Sequence, residues 1–278
     1  MLPRRLLTRA SSSSSFKLTP NFTKLSLDRK INLTHNTQKL VFNLPNPQQT
    51  LHVPVCSCIL LRTNTQIVRP YTPIYDQTQV GQFSLIVKTY PNGDASQFLQ
   101  NLIPGDEVEF KQIDKNIKEQ YPFHGRKTFT LLCGGTGITP MYQVLAKMKE
   151  QGDVRPVVLL YGNESASDII LFRELQEMTR ETPHLHVIHV LGKTMSDKID
   201  PDVLISTYKE EAKGAHVVGG WIDERKIFEY AFPPTEDTQV FVCGPPAMYG
   251  SLCGPREEKG LTGALSRLGY TEDMVVKM

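Results

Sequence analysis

A glycine cluster between a strand and a helix constrains this chain more than any other feature. Strand-like Thr128–Leu132 runs into Cys133-Gly134-Gly135-Thr136-Gly137-Ile138-Thr139-Pro140, and the helical pattern Met141–Glu150 follows. Without a Cβ, the backbone at such a turn can approach a phosphate or a flat ring closely. Thr139 is placed to cap the helix, Pro140 suits its first turn, and the helix start offers free N–H groups to an anion. Gly135 and Gly137 open a Gly-x-Gly-x-x-Gly pattern, but Pro140 stands where the last glycine belongs. The common dinucleotide fingerprint is therefore absent. Alone, the turn serves equally as a tight corner.

The pattern differs on the two sides of this turn. Downstream, strands Val157–Tyr161, His186–Leu191 and Gln239–Val242 alternate with helices Leu171–Arg180, Asp202–Ala212 and one beginning near Pro246. That alternation predicts a parallel sheet of nucleotide-binding type. Upstream, short strands are expected at Lys39–Leu44, Leu51–Val55, Ile59–Arg62, Phe83–Tyr90 and Glu107–Gln112, with one short helix at Ala95–Leu102. Turn signals such as Pro45-Asn46-Pro47 and Pro104-Gly105-Asp106 separate them, which predicts a sandwich or barrel. At 278 residues the chain accommodates both halves. No apolar run approaches the roughly 18–20 residues of a membrane-spanning helix, so no transmembrane anchor is expected.

Two more segments carry chemistry. In Arg69-Pro70-Tyr71-Thr72-Pro73, expected just past a barrel strand, the guanidinium can pair with a pyrophosphate. The Tyr71 ring can pack on an aromatic or sugar face, and the Thr72 hydroxyl can bond a ring nitrogen. Pro70 and Pro73 stiffen the loop. A surface loop with an unengaged arginine is the alternative. Lys88, Tyr90 and Ser96 are candidate additional donors. Cys243-Gly244-Pro245-Pro246 ends a strand of the second half, where ligands of parallel sheets bind. A thiol there can touch a nicotinamide ring, or be a buried structural cysteine.

Five cysteines imply no disulfide scaffold. Cys56-Ser57-Cys58 lacks a matching second pair, so no metal is expected, and in a strand its two thiols would share a face. Residues 1–27 hold Arg4, Arg5, Arg9, Lys17 and Lys24, a serine run and no acidic residue. That is the composition of a mitochondrial transit peptide, with a basic tail without targeting role as the alternative. Setting those residues aside leaves 26 basic against 29 acidic residues, a net charge of −3 instead of +2. The basic balance belongs to the leader, and nucleic-acid binding is not expected.

Taken together, RPYTP at 69–73, IVKTY at 86–90, SQFL at 96–99, GGTGITPM at 134–141 and CGPP at 243–246 make the chain resemble the NADH-cytochrome b5 reductases, within the ferredoxin–NADP reductase superfamily. The resemblance spans roughly residues 23–278. It leaves 1–22 as the leader or a disordered segment, and implies a six-stranded antiparallel FAD barrel at 23–125 and a Rossmann-like parallel α/β nucleotide domain at 126–278. It implies FAD held by Arg69, Pro70, Tyr71, Thr72, Val87, Lys88, Tyr90, Gly93, Ala95 and Ser96, with Thr139 touching the flavin from the other domain. Gly135, Thr136, Cys243, Gly244, Pro245 and Met248 would line the nicotinamide side, and Gly134, Gly137 and Pro140 would be further cofactor-binding residues. Thr72 and Cys243 would be the catalytic pair, with a hydride moving from nicotinamide to flavin N5 and electrons leaving singly to cytochrome b5 or another small haem protein. A monomer is expected. A flavin module for another redox partner, or a flavodomain kept as a binding module, are the competing readings.

The chain departs from the family pattern in places. Tyr75 replaces a small hydroxyl residue, and residues 111–121 lack a Gly-Pro-x-Gly loop. Gly192-Lys193 stands where members favouring NADH often carry an acidic residue, so NADH is expected and NADPH remains admissible. Lys111, Lys115, Lys118, Arg126 and Lys127 are candidates for steering an acidic acceptor.

Overall fold

The computed structural model describes residues 14–74, 79–113, 120–192, 207–208 and 212–278. Its first half contains β1 (Ser14–Phe16), β2 (Thr23–Thr34), β3 (Thr37–Asn43), β4 (Gln49–Leu51), β5 (Ile59–Arg62), β6 (Val68–Tyr71), β7 (Gln82–Lys88), helix α1 (Asp94–Asn101) and β8 (Glu107–Gln112). Six of these strands form one antiparallel sheet in the order β6-β5-β8-β2-β3-β7. An antiparallel bridge between Pro73 and Leu85, with Ile74 N–H donating to Ser84 O at 2.9 Å, joins the first edge to the last. The sheet thereby curls into a barrel. Its interior is filled by alternating apolar side chains and a ring cluster of Phe42, Phe83 and Phe110 with centroids 4.9–5.5 Å apart.

The second half contains β9 (Thr128–Gly134), α2 (Ile138–Glu150), β10 (Val157–Asn163), α3 (Phe172–Glu181), β11 (Leu185–Leu191), β12 (His216–Gly219), α4 (Glu224–Tyr230), β13 (Thr238–Cys243), α5 (Pro246–Leu252), α6 (Gly263–Arg267) and β14 (Val275–Lys277). Its sheet is parallel, in the order β12-β11-β10-β9-β13-β14. Every residue of β10 is buried, because apolar clusters cover both faces of the sheet. From β9 the chain winds outward to β12, then returns to place β13 on the other flank of β9. The winding reverses between β9 and β13, and ligands of such sheets bind outside the carboxyl ends at this point.

Arg155 pins the crossover between the halves. Its guanidinium donates to the carbonyls of Pro122 (2.8 Å), Phe123 (3.2 Å) and Arg126 (2.9 Å), and it pairs with Asp153. Phe123 is fully buried against Phe129 and Phe241 of the parallel sheet.

Several expectations are corrected. Part of the segment 1–22 is packed and not a disordered leader: β1 pairs in parallel with β4, and Leu18 is buried in the barrel core. Arg69 lies within β6 and not past a strand; Pro70 is tolerated there because β6 ends the hydrogen-bonded ladder. The expected strand Leu51–Val55 is mostly loop, since β4 stops at Leu51. Cys56 lies in a turn with φ +59 and Cys58 in irregular chain before β5, so the two thiols do not share a strand face. Most of the expected helix Asp202–Ala212 lies outside the described residues.

Candidate functional site

Two turns meet where the parallel sheet reverses. Cys133 and Cys243 are register partners at the carboxyl ends of β9 and β13. A Cβ on Gly137 would lie 2.2 Å from the Cys243 carbonyl oxygen, so only glycine lets the turn rest on the neighbouring strand end. Gly134 and Gly244 sit against Met248, where added Cβ atoms would fall 3.1 and 2.5 Å from its sulfur. Pro245 closes on Gly134 as well, and Pro246 takes the first position of α5. Gly135 is different. Its φ is +54, and a Cβ there would meet nothing within 4 Å, so that face of the turn is open.

The helix after this turn begins earlier than the sequence suggests. Gly137 is its N-cap, and Thr139 is not the cap: its hydroxyl donates back to Thr136 O at 3.1 Å. Pro140 lies in the first turn, where a missing N–H leaves no gap in the ladder. From beneath, Tyr161 of β10 supports the turn. Its fully buried hydroxyl donates to Gly135 O at 3.1 Å and accepts from Ile170 N at 3.2 Å. Burial pushes this phenol well above its ordinary pKa, so it stays a neutral donor.

The barrel supplies the other wall. Arg69 is exposed on β6 and donates to Val68 O at 2.9 Å. Tyr71 is pushed up to about 12, chiefly by burial, with Arg69 opposing and Tyr90 adding. Those influences place the three side chains in one neighbourhood. Val87 is buried beside Lys88 at the end of β7. Ser96, expected as a free donor, instead organises a turn: its hydroxyl accepts from Tyr90 N (3.1 Å) and donates to Gly93 O (2.8 Å). Gly93 is the N-cap of α1, and a Cβ there would fall 2.5 Å from Ser96 Oγ, so a larger residue would displace that hydroxyl. No side chain caps α1, so the N–H groups of its first turn, beside buried Ala95, lack intrahelical partners.

The two walls touch. β7 packs on the Gly135–Gly137 turn. Gln143 of α2 donates through Nε2 to the Pro73 carbonyl at 2.9 Å, one residue from Thr72. Asp168, in the turn after β10, has a nearly inaccessible carboxylate; Oδ1 lies 3.9 Å from Lys88 Nζ and 3.8 Å from His35 Nδ1, both barrel residues. Ser165 Oγ donates to its other oxygen at 2.6 Å. Burial pushes the Cys243 thiol up to about 11, against the hydrogen bond from Tyr249 and the charge of Arg256. Cys243 is thus a neutral thiol, suited to contact and not to nucleophilic attack.

An FAD fits this donor set. Arg69 and the uncapped start of α1 can take phosphates, Tyr71 offers a neutral ring, and the open face of Gly135 leaves room for a second flat group. The structure also exposes what sequence reasoning missed. Gln143, Tyr161 and Asp168 act across long sequence separations. Trp221 is 60% exposed and lies on Gly192 at the end of β11, where a Cβ would fall 2.5 Å from the indole. Gly219-Gly220-Trp221 was its sequence signal. Of the expected acceptor patch, the described residues have local partners: Arg126 pairs with Asp273 and Lys127 with Asp237, while Lys111 lies over the Phe22 ring. Tyr75, Lys115, Lys118 and Lys193 lie outside the described residues.

Comparison with known proteins agrees with this division. Residues 24–114 match the oxidoreductase FAD-binding domain, and residues 131–254 match the oxidoreductase NAD-binding domain. The chain is 33% identical to NADH-cytochrome b5 reductase 2 of Yarrowia lipolytica, over 96% of this chain and 89% of that protein. It is 35% identical to the Aspergillus clavatus NADH-cytochrome b5 reductase 2, over 91% and 76%. Among solved structures, the cytochrome b5 reductase domain of Ulva prolifera nitrate reductase superposes with a TM-score of 0.73 at 26% identity, over 94% of this chain and 98% of that one. With its antiparallel barrel, its parallel sheet and the two facing turns, the chain belongs to the NADH-cytochrome b5 reductase family.

Proposed function

We propose that this protein oxidises NADH through a bound FAD and delivers the electrons to a haem protein of the cytochrome b5 kind. The observation that carries this reading is the closure of Arg69–Pro73 and β7 onto the Gly134–Pro140 turn and helix α2, through the Gln143–Pro73 hydrogen bond. When bound, FAD accepts a hydride from the nicotinamide and releases electrons singly.

The protein's own contribution is positioning. Arg69 and the start of α1 would hold the diphosphate of FAD, Tyr71 would pack on the cofactor, and the Thr72 hydroxyl would offer a hydrogen bond to flavin N5. Gly135 and Gly137 let a nicotinamide approach the barrel wall, while Gly134, Gly244, Pro245, Met248 and the neutral Cys243 shape its floor. Hydride transfer asks for reacting atoms about 3–3.5 Å apart, so orientation supplies most of the acceleration.

Anaerobic titration of the purified protein with NADH, following the visible spectrum, tests the reading. Bleaching of a yellow chromophore supports it; a protein that stays colourless after FAD is offered overturns it. The nucleotide preference is read from kcat/KM for NADH against NADPH. NADH is expected to win, and a strong NADPH preference would reverse that assignment. Mitochondrial import directed by residues before Ser14 rests on Arg4, Arg5 and Arg9 and the absence of acidic residues there. A fluorescent fusion lacking those residues should lose mitochondrial localisation. A monomer in solution is checked by light scattering.

A further inference from the structure

We infer that Gln143 is a positioning residue that sets the gap between the flavin wall and the nicotinamide wall; this rests on the function proposed above. Gln143 is only 2% exposed. Its Nε2 donates to the Pro73 carbonyl at 2.9 Å, while its Oε1 has no hydrogen-bond partner among the described residues. A buried amide with one unmet polar atom is disfavoured against an apolar side chain of similar volume. Packing alone would therefore be served better by methionine, and the bond to Pro73 is what the glutamine adds.

The location of that bond gives it leverage. Pro73 is the residue after Thr72, and the bridge to Leu85 builds it into the barrel wall. Gln143 is one helical turn beyond Thr139, on the same face of α2. The N-terminus of α2 continues directly from the Gly135–Gly137 turn. One neutral hydrogen bond thus couples two rigid elements, each within a few residues of a group that meets a reacting ring. The neighbouring contact of Asp168 with Lys88 and His35 spans 3.8–3.9 Å, too long to fix a distance closely. Gln143 is the shorter and better defined tie.

The test compares FAD-loaded wild type with Gln143→Met and Gln143→Leu. Both preserve a side chain of similar bulk in the buried site and remove the donor to the Pro73 carbonyl. Anaerobic stopped-flow gives the limiting rate of flavin reduction by NADH and the nucleotide dissociation constant. The long-wavelength charge-transfer absorbance of the flavin–nicotinamide complex reports ring stacking without turnover. A displacement near 1 Å predicts that the limiting rate per bound flavin falls roughly 10²-fold in both variants, with a weakened charge-transfer band and little change in nucleotide affinity. Wild-type rate and full band in Gln143→Met would overturn the inference. So would a loss of rate that tracks loss of bound flavin, because that assigns Gln143 to barrel stability. If one variant does not fold, the other decides by the same readings; if neither folds, Gln143 is a stability residue and the inference fails. A wild type that NADH does not reduce would instead overturn the proposed function.

Discussion

Lys88 of the barrel faces Asp168 of the nucleotide half, with Nζ 3.9 Å from a carboxylate oxygen whose side chain is 3% exposed. A carboxylate so enclosed needs compensation, and the Lys88 ammonium supplies ionic compensation from the opposite domain. Asp168→Asn keeps the shape and removes the charge. Lys88 retains some access to water, so the expected loss is about 1–3 kcal/mol of folding stability, at the scale of one unmet buried group. Urea unfolding at unchanged slope should show the lower midpoint, and a midpoint equal to wild type would remove Asp168 from the interface account.

Gly135 and Gly137 should respond to alanine for different reasons. At Gly137 the new methyl would meet the Cys243 carbonyl at 2.2 Å, a backbone atom fixed in β13. Gly137→Ala should cost at least about 1–3 kcal/mol and drive the turn off the strand end. At Gly135 there is space, but φ is +54, so Gly135→Ala should cost only about 1 kcal/mol of backbone strain. Thermal denaturation of both variants ranks them; the reverse order would contradict the placement of the turn.

His189 predicts an acid-sensitive window. It is fully buried on β11 beside Tyr161 and Phe172, and neither ring nitrogen has a hydrogen-bond partner among the described residues. Burial, with His216 adding, lowers it from 6.5 to about 4. Because the folded value is depressed, the unfolded chain takes up the proton first as pH falls. Stability from this site is intact above pH 6.5, drains between 6.5 and 4, and levels off below. The loss reaches roughly 3 kcal/mol at most. His189→Phe should flatten that part of the pH dependence of the urea midpoint, and an unchanged slope would locate the acid sensitivity elsewhere.

Thr72→Ala should slow flavin reduction by roughly tenfold, the scale of one hydrogen bond near 1.4 kcal/mol at the reacting atom, without lowering flavin content. Stopped-flow reduction with the flavin-to-protein ratio measured decides this. An unaltered rate would dissociate Thr72 from the chemistry.

How far the fold could be read from sequence depended on how each element is solvated. β5 and β8 match the expected strands because apolar side chains alternate between clear turns. β2 escaped notice: only Leu25 and Leu27 of its twelve residues are buried, so the strand carries little apolar signal. β6 reads as a loop because Pro70 interrupts it, and only its edge position makes it a strand. The motif residues were legible because glycine, proline and cysteine at short spacing constrain backbone locally. Gln143, Tyr161 and Asp168 were not, because a glutamine in a helix, a tyrosine in a strand and an aspartate in a turn look ordinary until tertiary structure supplies their partners.

Since the antiparallel wall is sealed where Ile74 bonds to Ser84, the stretch proposed to hold the prosthetic group is also the last stave of its own container. Emptying the site and prising open the cylinder are then one event seen from two sides. A preparation stripped of flavin should be cut by proteases first along this join, and refilling it should restore the hoop.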